Sequence, residues 1–300
     1  MLPSSVKIVE VGPRDGLQNE QQTIPLAAKL QLIEELACAG IKYIETGSFV
    51  SPKWVPQMAD SLELFQQLTK QTDVIYSALT PNMQGLQAAL VAKVDEVAIF
   101  AAASESFSMR NINCTIAESL LRFEPVIKHA TAQGLKVRGY VSCILGCPYE
   151  GEISPEKVVQ VAQQMLAMGC YEVSLGDTVG VGTPLKTAHL LNTLLQHIPV
   201  SKLAVHFHDT YGQALANILI ALQHGISVID SSVAGLGGCP YAKGAAGNVA
   251  TEDVIYMLNG MGINTGIKLP DLVKAGEHIM RQLGRTSQSK VAQAMSKLTR

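Results

Sequence analysis

Short apolar runs alternate with helical stretches along almost the whole chain. Each unit begins with a short Val/Ile-rich run, continues through a polar or glycine-rich turn, and ends in about ten to twenty residues with apolar positions at helical spacing. The short runs predict eight strands, over residues 7–11, 43–46, 74–78, 96–100, 136–141, 171–175, 203–207 and 228–232. The longer stretches predict helices over residues 26–39, 57–68, 83–92, 116–132, 155–168, 185–198, 213–224 and 248–258.

Eight strand–helix units of this length match an α/β protein of the (β/α)8 TIM-barrel type. A doubly wound open sheet shares the same local pattern and is the alternative. The first turn, residues 12–16, lacks the G-x-G-x-x-G fingerprint, and no G-x-x-x-x-G-K-[ST] sequence occurs. Helical patterns at 271–283 and 287–298 follow the eighth unit. We therefore predict one catalytic domain over residues 1–300, with a TIM barrel over about 6–260 and additional C-terminal helices over about 270–298.

The composition argues against nucleic acids and membranes as binding partners. Lys and Arg total 23 against 25 Asp and Glu, for a net charge of −2, so no basic excess exists to bind nucleic acid. No apolar run reaches the length of about 18 residues that a membrane span needs. The six cysteines form no Cys-x-x-Cys pair, and the N-terminus resembles neither a signal peptide nor an Arg-rich leader. We expect a cytoplasmic protein that binds neither nucleic acid nor membranes.

Unusual polar residues follow the predicted strands at one end only. Barrel enzymes carry their chemistry at the C-terminal ends of the strands, so these residues define one expected site. They are Arg14 and Asp15 after the first strand, Glu45 in the second, Asp177 after the sixth, His206 and His208 at the seventh, and Cys239 and Asn248 after the eighth.

His206 and His208 suggest a metal site. Residues two apart in a strand project from the same face, so both imidazoles can approach one ion. With Asp15 and Asn248 they form a ligand set suited to Mg²⁺ or Mn²⁺, while two imidazoles also keep Zn²⁺ possible. The alternative is a pair of ordinary solvated or core histidines.

Three further residues have chemistry that an enzyme could use. Arg14 could stabilise an oxyanion on a substrate carbonyl, or it could be a surface arginine paired with Asp15. Glu45 at a strand end is expected to be buried, and its carboxylate then needs Arg14 or the metal ligands as a partner. Cys239 lies in a glycine-rich loop, either as a thiol that transfers a proton at a carbanion or as a spectator in a turn.

Three segments carry a family resemblance. They are EVGPRDGLQNE at 10–20, SFVSPKWVPQM at 48–58 and SVAGLGGCPY at 232–241, and they resemble the 3-hydroxy-3-methylglutaryl-CoA lyase family over about residues 6–283. The wider superfamily includes isopropylmalate and homocitrate synthases, whose loop after the eighth strand reads G-x-G-E-R-x-G-N. Here Gly238 and Cys239 replace the Glu-Arg pair in a longer loop, which favours the lyase.

The resemblance implies a reaction and a catalytic set. The reaction is the metal-assisted retro-Claisen cleavage of 3-hydroxy-3-methylglutaryl-CoA to acetyl-CoA and acetoacetate, a step of leucine degradation and ketone-body formation. Asp15 is our first choice for the base, with His206 as the alternative. The implied roles are metal ligation by Asp15, His206, His208 and Asn248, carbonyl binding by Arg14, and proton transfer by Cys239.

The resemblance also implies surroundings for this set. Glu45 and Asp177 line the site, and Asn111 and Asn113 lie near the acyl-CoA substrate. Glu252 supports the metal-ligating residues without binding the ion itself. The family implies a homodimer. Three alternatives stay open: a lyase for another 3-hydroxyacyl-CoA, an isopropylmalate/homocitrate-type condensing synthase, and a non-catalytic metal-binding barrel that would have lost Arg14 or Cys239.

Overall fold

Eight parallel strands close on themselves in chain order. The computed structural model describes residues 1–238 and 247–298. Each strand pairs with the next, and the last strand pairs with the first, so the barrel is confirmed and the open doubly wound sheet is excluded. The strands are β1 (Lys7–Glu10), β2 (Tyr43–Ser48), β3 (Ile75–Leu79), β4 (Glu96–Ala102), β5 (Lys136–Ser142), β6 (Glu172–Asp177), β7 (Leu203–Phe207) and β8 (Val228–Ser231).

Helices surround the barrel and extend beyond it at the C-terminus. The hydrophobic pattern does not predict α4, because this short helix has few apolar residues and begins at the Ser104 cap. None of the described helices combines the length and apolar character that a membrane crossing requires. The helices are α1 (Leu26–Cys38), α2 (Ser61–Gln67), α3 (Met83–Val91), α4 (Glu105–Ile112), α5 (Ile116–Ala132), α6 (Pro155–Met168), α7 (Pro184–Leu194), α8 (Ala214–Gln223), α9 (Thr251–Gly260), α10 (Leu269–Gln282) and α11 (Lys290–Leu298).

Local sequence signals explain where the helices start and stop. Thr115 and Glu118 form a reciprocal capping box at the start of α5, which satisfies two free backbone N–H groups. Pro155 opens α6 after the Ser154 cap, and Gly169 ends that helix in the left-handed conformation at φ 119°. These signals set the length of each helix and so bring the chain back to the next strand.

A layer of paired charges fills part of the barrel interior. Arg138 on β5 is almost completely buried and donates to Glu172 on β6 at 2.8 Å and to Asp230 on β8 at 2.7 Å. Lys7 on β1 completes the layer through a 2.8 Å ion pair with Glu172. Buried charges are tolerated when they are paired and hydrogen-bonded, and this layer meets that condition.

The chain after β8 returns to the end of the barrel before α9 begins. Val249 donates its backbone N–H to Phe207 and accepts from the backbone N–H of Ser232. Asn248 also pairs with His208 in an antiparallel bridge. The predicted helix at 248–258 therefore begins later, at Thr251, because residues 248–250 are bound to the ends of β7 and β8 instead.

The two ends of the loop after β8 meet at a glycine neck, formed by Gly237 and Gly247. A Cβ atom at Gly247 would lie 2.7 Å from the carbonyl carbon of Gly237, which is closer than packed atoms approach. Gly237 also has φ 121°, a backbone conformation that favours glycine. Of the residues between them, 239–246, which include Cys239, lie outside the described part of the chain.

Candidate metal centre and active site

An acid and two imidazoles converge at the C-terminal end of the barrel. Asp15 lies in the turn Gly12–Gly16 after β1, His206 lies in β7, and His208 follows that strand. One candidate ligand atom from each side chain lies within 4.8 Å of the other two. The structure thus brings together three of the four residues predicted as metal ligands.

Asn248 joins this group through Asp15. Its amide nitrogen donates to Asp15 Oδ2 at 2.8 Å and to the carbonyl oxygen of Leu236 at 3.2 Å. The structure therefore places the fourth predicted ligand beside the other three. In this arrangement the amide nitrogen of Asn248, rather than its oxygen, faces the carboxylate.

The protonation states of Asp15 and His208 fit a divalent cation. Burial raises the pKa of Asp15, but the charges of Arg14 and the two imidazoles outweigh it and lower the pKa to about 2. Burial and the neighbouring His206 lower the pKa of His208 to about 4, so this imidazole is neutral at neutral pH. Its Nδ1 atom is buried and has no hydrogen-bond partner among the described residues. An ionised carboxylate and a neutral imidazole with an unused nitrogen are the forms that bind metal.

Arg14 is held between two carboxylates and is only 6% exposed. Its Nε and Nη2 atoms lie 2.7 and 2.5 Å from Glu45 Oε2, and Nη1 donates to Asp15 Oδ1 at 2.7 Å. Arg14 is therefore buried and not a surface residue, although the predicted pairing with Asp15 is present. Of its five N–H donors, three are directed at these carboxylates, which leaves two that can face a bound substrate.

Asp177 ends β6 at the same rim of the barrel. Its Oδ2 accepts from the backbone N–H of Gly182 at 2.8 Å, while Oδ1 is buried without a partner among the described residues. Burial raises the pKa of this carboxyl to about 6. A carboxyl with a free buried oxygen and a pKa near neutrality can exchange a proton with a bound ligand.

Glu252 contacts the turn that follows β8 rather than the candidate ligands. Both of its carboxylate oxygens lie 2.9 Å from the backbone nitrogen of Ala234, which adopts φ 58° in the turn Val233–Gly235. Glu10 at the end of β1 accepts from the backbone N–H of the preceding residue, Val233, at 2.8 Å. Sequence reasoning missed Glu10; the available signal was a carboxylate inside an otherwise apolar strand. Together these two acids anchor the base of the loop that carries Cys239.

Replacing Glu252 by glutamine is expected to flatten the pH dependence of stability. Burial raises the pKa of this carboxyl from 4.5 to about 8, so the folded protein keeps a proton that the unfolded chain releases. Its contribution to stability is therefore complete below the unfolded pKa and is lost as the pH rises toward the folded pKa. Between pH 5 and 8 the unsubstituted protein should lose on the order of 3–4 kcal/mol of unfolding free energy that Glu252→Gln retains.

Urea unfolding at several pH values measures this difference. Glu156→Gln on α6 makes the same chemical change at an exposed position and should leave the slope of stability against pH unchanged. An identical slope for Glu252→Gln and the unsubstituted protein would contradict the expectation.

Asn111 and Asn113 lie at the C-terminal end of α4, on the surface of the protein. Both side chains are exposed, and Asn113 ends the helix in the left-handed conformation at φ 51°. Arg110 on the same helix stacks on the ring of Tyr149, with 4.4 Å between its guanidinium carbon and the ring centroid. The two asparagines thus lie on an exposed element that follows β4, at the barrel end that carries the candidate ligands.

Asp230 on β8 is a second residue that the sequence reasoning missed. It lies opposite His206 in the register of β7 and β8, and its Oδ2 is 3.3 Å from His206 Nδ1. Burial lowers the pKa of His206, but the hydrogen bond and charge of Asp230 outweigh this effect and raise it overall. The available signal was an acidic residue, Asp230, within a predicted apolar strand. The sequence does not show which neighbouring strand its side chain contacts.

The fold and the site define a class. A closed parallel barrel that gathers an ionised acid, two imidazoles and a buried arginine at its C-terminal mouth has the organisation of a metal-using barrel enzyme. The HMGL-like family model matches residues 5–279. The chain belongs to the HMGL-like family.

Close relatives match over nearly the whole chain. The mitochondrial hydroxymethylglutaryl-CoA lyase of Bos taurus is 60% identical over 99% of this chain and 91% of that protein. A 3-hydroxy-3-isohexenylglutaryl-CoA/hydroxy-methylglutaryl-CoA lyase of Pseudomonas aeruginosa is 58% identical over 98% of both chains. The crystal structure of hydroxymethylglutaryl-CoA lyase from Pseudomonas aeruginosa superposes with a TM-score of 0.98, at 57% identity over 99% of both chains.

Proposed function

We propose that this protein cleaves 3-hydroxy-3-methylglutaryl-CoA to acetyl-CoA and acetoacetate. The observation that carries the proposal is the cluster of Asp15, His206, His208 and Arg14 at the barrel mouth of an HMGL-like chain. Relatives about 60% identical to it are named hydroxymethylglutaryl-CoA lyases. The cluster contains the groups that this cleavage requires.

The reaction makes two demands on the protein. The tertiary hydroxyl of the substrate must lose a proton while the C2–C3 bond breaks, and the electrons then collect on the thioester oxygen as an enolate. A divalent cation held by Asp15, His206 and His208, with Asn248 beside them, would acidify the hydroxyl and orient the substrate. We propose Mg²⁺ or Mn²⁺, because the set holds no thiolate and includes a carboxylate and an amide.

Two residues at the site can accept the hydroxyl proton. Asp15 is ionised and adjacent to the ligand position, but a pKa of about 2 makes its carboxylate a weak base. The hydrogen bond and charge of Asp230 raise the pKa of His206. However, a His206 that binds the cation through Nε2 and donates Nδ1–H to Asp230 has no lone pair left, so Asp15 stays our first choice and His206 the alternative.

Arg14 is proposed to stabilise the enolate oxygen. Glu45 fixes the guanidinium plane through two contacts to one oxygen, so the free N–H groups keep one direction. Donors fixed in advance cost no reorganisation when the negative charge develops. Glu45 thus acts through Arg14.

Cys239 is proposed to donate the proton that converts the enolate into the methyl group of acetyl-CoA. Cys239→Ala is expected to lower kcat by about 10²-fold, because this final proton then has to come from water. Steady-state kinetics measure the effect. Cys38→Ala, at an exposed cysteine on α1, is the matched control and should keep full activity. Near-normal turnover by Cys239→Ala would reduce this thiol to a spectator.

An assay on purified protein tests the proposed function. After chelation, acetoacetate release from 3-hydroxy-3-methylglutaryl-CoA should stop, and Mg²⁺ or Mn²⁺ should restore it. CoA release from acetyl-CoA plus a 2-oxoacid, without acetoacetate formation, would identify a condensing synthase instead. Metal binding without either reaction would identify a non-catalytic barrel.

A second substrate is favoured by one relative. The Pseudomonas aeruginosa protein, 58% identical, is named for a 3-isohexenyl ester as well as for the methyl ester. We therefore propose that the assay include both CoA esters at equal concentration. The ratio of the two kcat/KM values decides which ester is the better substrate.

The remaining proposals concern the setting of this activity. We propose one catalytic domain over residues 1–300, acting as a cytoplasmic homodimer in leucine degradation and ketone-body formation. Relatives of this chain are named as mitochondrial and as cytoplasmic enzymes. Sedimentation equilibrium gives the number of subunits, and fractionation of cells gives the compartment.

A further inference from the structure

A buried carboxylate supports His206 from inside the barrel. Asp230 is 1% exposed, and its Oδ2 lies 3.3 Å from His206 Nδ1. We propose that Asp230 is a positioning residue: it holds His206 as the Nδ1–H tautomer with Nε2 directed at the cation. This inference rests on the metal site of the proposed function and assigns a role to a residue outside the predicted set.

The Asp230 carboxylate is itself held rigidly. Arg138 donates to both carboxylate oxygens, from Nη2 to Oδ1 at 2.7 Å and from Nη1 to Oδ2 at 3.0 Å. Ser174 donates its hydroxyl to Oδ2 at 2.7 Å. A planar two-point contact fixes the direction of a carboxylate as well as its charge. Oδ2 therefore points at His206 in one orientation.

Arg138 is held in turn by two neighbours. Its Nε donates to Glu172 at 2.8 Å, and its Nη1 also reaches the hydroxyl of Tyr140 at 3.0 Å. Glu172 is thus part of the same charge layer as Asp230, yet it is bonded to Arg138 and Lys7 and not to His206. This difference provides a matched pair of residues for the test.

The contact decides which nitrogen of His206 is free. An ionised carboxylate only accepts hydrogen bonds, so Nδ1 of His206 must be the protonated nitrogen. Nε2 then keeps its lone pair, and it lies 3.9 Å from Asp15 Oδ2, on the side where the candidate ligands converge. A carboxylate behind a ligating imidazole fixes the ring and raises its basicity.

The test compares two nearly isosteric variants by Mn²⁺ titration, with free Mn²⁺ followed by electron paramagnetic resonance. In Asp230→Asn, one amide oxygen replaces two carboxylate oxygens, and Arg138 competes with His206 for it. The Kd for Mn²⁺ should rise by about 10- to 100-fold, as for other losses of a ligand's partner. Glu172→Gln should change it by less than about threefold, since His206 keeps its acceptor.

Two results of this titration would overturn the role. One is an unchanged affinity in Asp230→Asn, and the other is an equal loss in Glu172→Gln, which would mark a general effect of the charge layer. Thermal unfolding of both variants shows whether each is folded at the temperature of the titration.

A second measurement needs no variant of Asp230. Long-range ¹H–¹⁵N correlation spectra of the metal-free, unsubstituted protein report the tautomer of each imidazole, and His206→Gln assigns the signal. The spectra are recorded at a pH at which the ring is neutral. A proton on Nδ1 alone supports the proposal, and a proton on Nε2 alone overturns it, even if Asp230→Asn does not fold.

The results separate this inference from the proposed function. Mn²⁺ binding that depends on Asp230, without cleavage of the CoA ester, supports the inference and refutes the function. Cleavage of the ester, together with Mn²⁺ binding that does not depend on Asp230, supports the function and refutes the inference. If the unsubstituted protein binds no Mn²⁺, the positioning role and the metal site both fail.

Discussion

Replacing Arg14 by lysine is expected to lower kcat by about 10³-fold, at the upper end of the effect of one lost oxyanion donor. Lysine keeps the positive charge but has no planar fork. The guanidinium contacts Glu45 and Asp15 at once and still has two N–H donors to offer. An ammonium group paired with the same two carboxylates is drawn away from the substrate oxygen.

Steady-state kinetics distinguish this role from simple substrate binding. Because the enolate charge exists only in the transition state, the loss should appear in kcat and in kcat/KM alike. Arg281→Lys on α10 makes the same chemical change outside the barrel mouth and should leave both constants unchanged. A change in Arg14→Lys confined to KM would contradict the oxyanion role.

Replacing His208 by alanine is expected to weaken Mn²⁺ binding by more than about 100-fold. Losing a residue that only hydrogen-bonds to a metal ligand typically weakens binding by about 10- to 100-fold, and losing the ligand itself should weaken it more. The imidazole is neutral at neutral pH, and its Nδ1 has no hydrogen-bond partner among the described residues. Because this imidazole is uncharged at neutral pH, its removal should act mainly through the lost bond from its nitrogen to the cation. Activity should be recovered only in part at high metal concentration.

Isothermal titration with Mn²⁺ checks this expectation. His189→Ala on α7 removes an exposed imidazole and serves as the control, with unchanged affinity. If the affinity of His208→Ala matched that of the unsubstituted protein, His208 would not be a ligand. Thermal unfolding separates a local loss of metal from a loss of the fold.

The strand–helix alternation was sufficient to predict the barrel, and the strand ends were sufficient to predict its mouth. Asp15 is distant in the chain from His206 and His208, but a parallel barrel brings the C-terminal ends of all strands to one rim. An acid and two imidazoles at strand ends were therefore enough to predict a shared site. The partner of Glu45 was left open between Arg14 and the metal ligands. The structure shows the arginine contact.

Residues inside the barrel could not be assigned in the same way. Arg138 and Asp230 pair across 92 positions of sequence, and nothing local to either strand indicates the other. The choice depends on strand tilt and side-chain length, which act only once the barrel has closed. Glu10 was missed for the same reason, since its partners Val233 and Thr251 come from the far end of the chain. The role of Cys239 stays a prediction from the family resemblance.

The glycine neck links the loop after β8 to the position of Asn248. Gly237 and Gly247 meet, and Val249 is tied to the ends of β7 and β8, so Asn248 is held in place from its own side of the neck. A Cβ atom at Gly237 would lie 2.8 Å from the side-chain amide nitrogen of Asn248, so a larger residue there would push this amide away from Asp15. The absence of side chains at the neck is therefore a condition for assembling the site before any ion or substrate arrives.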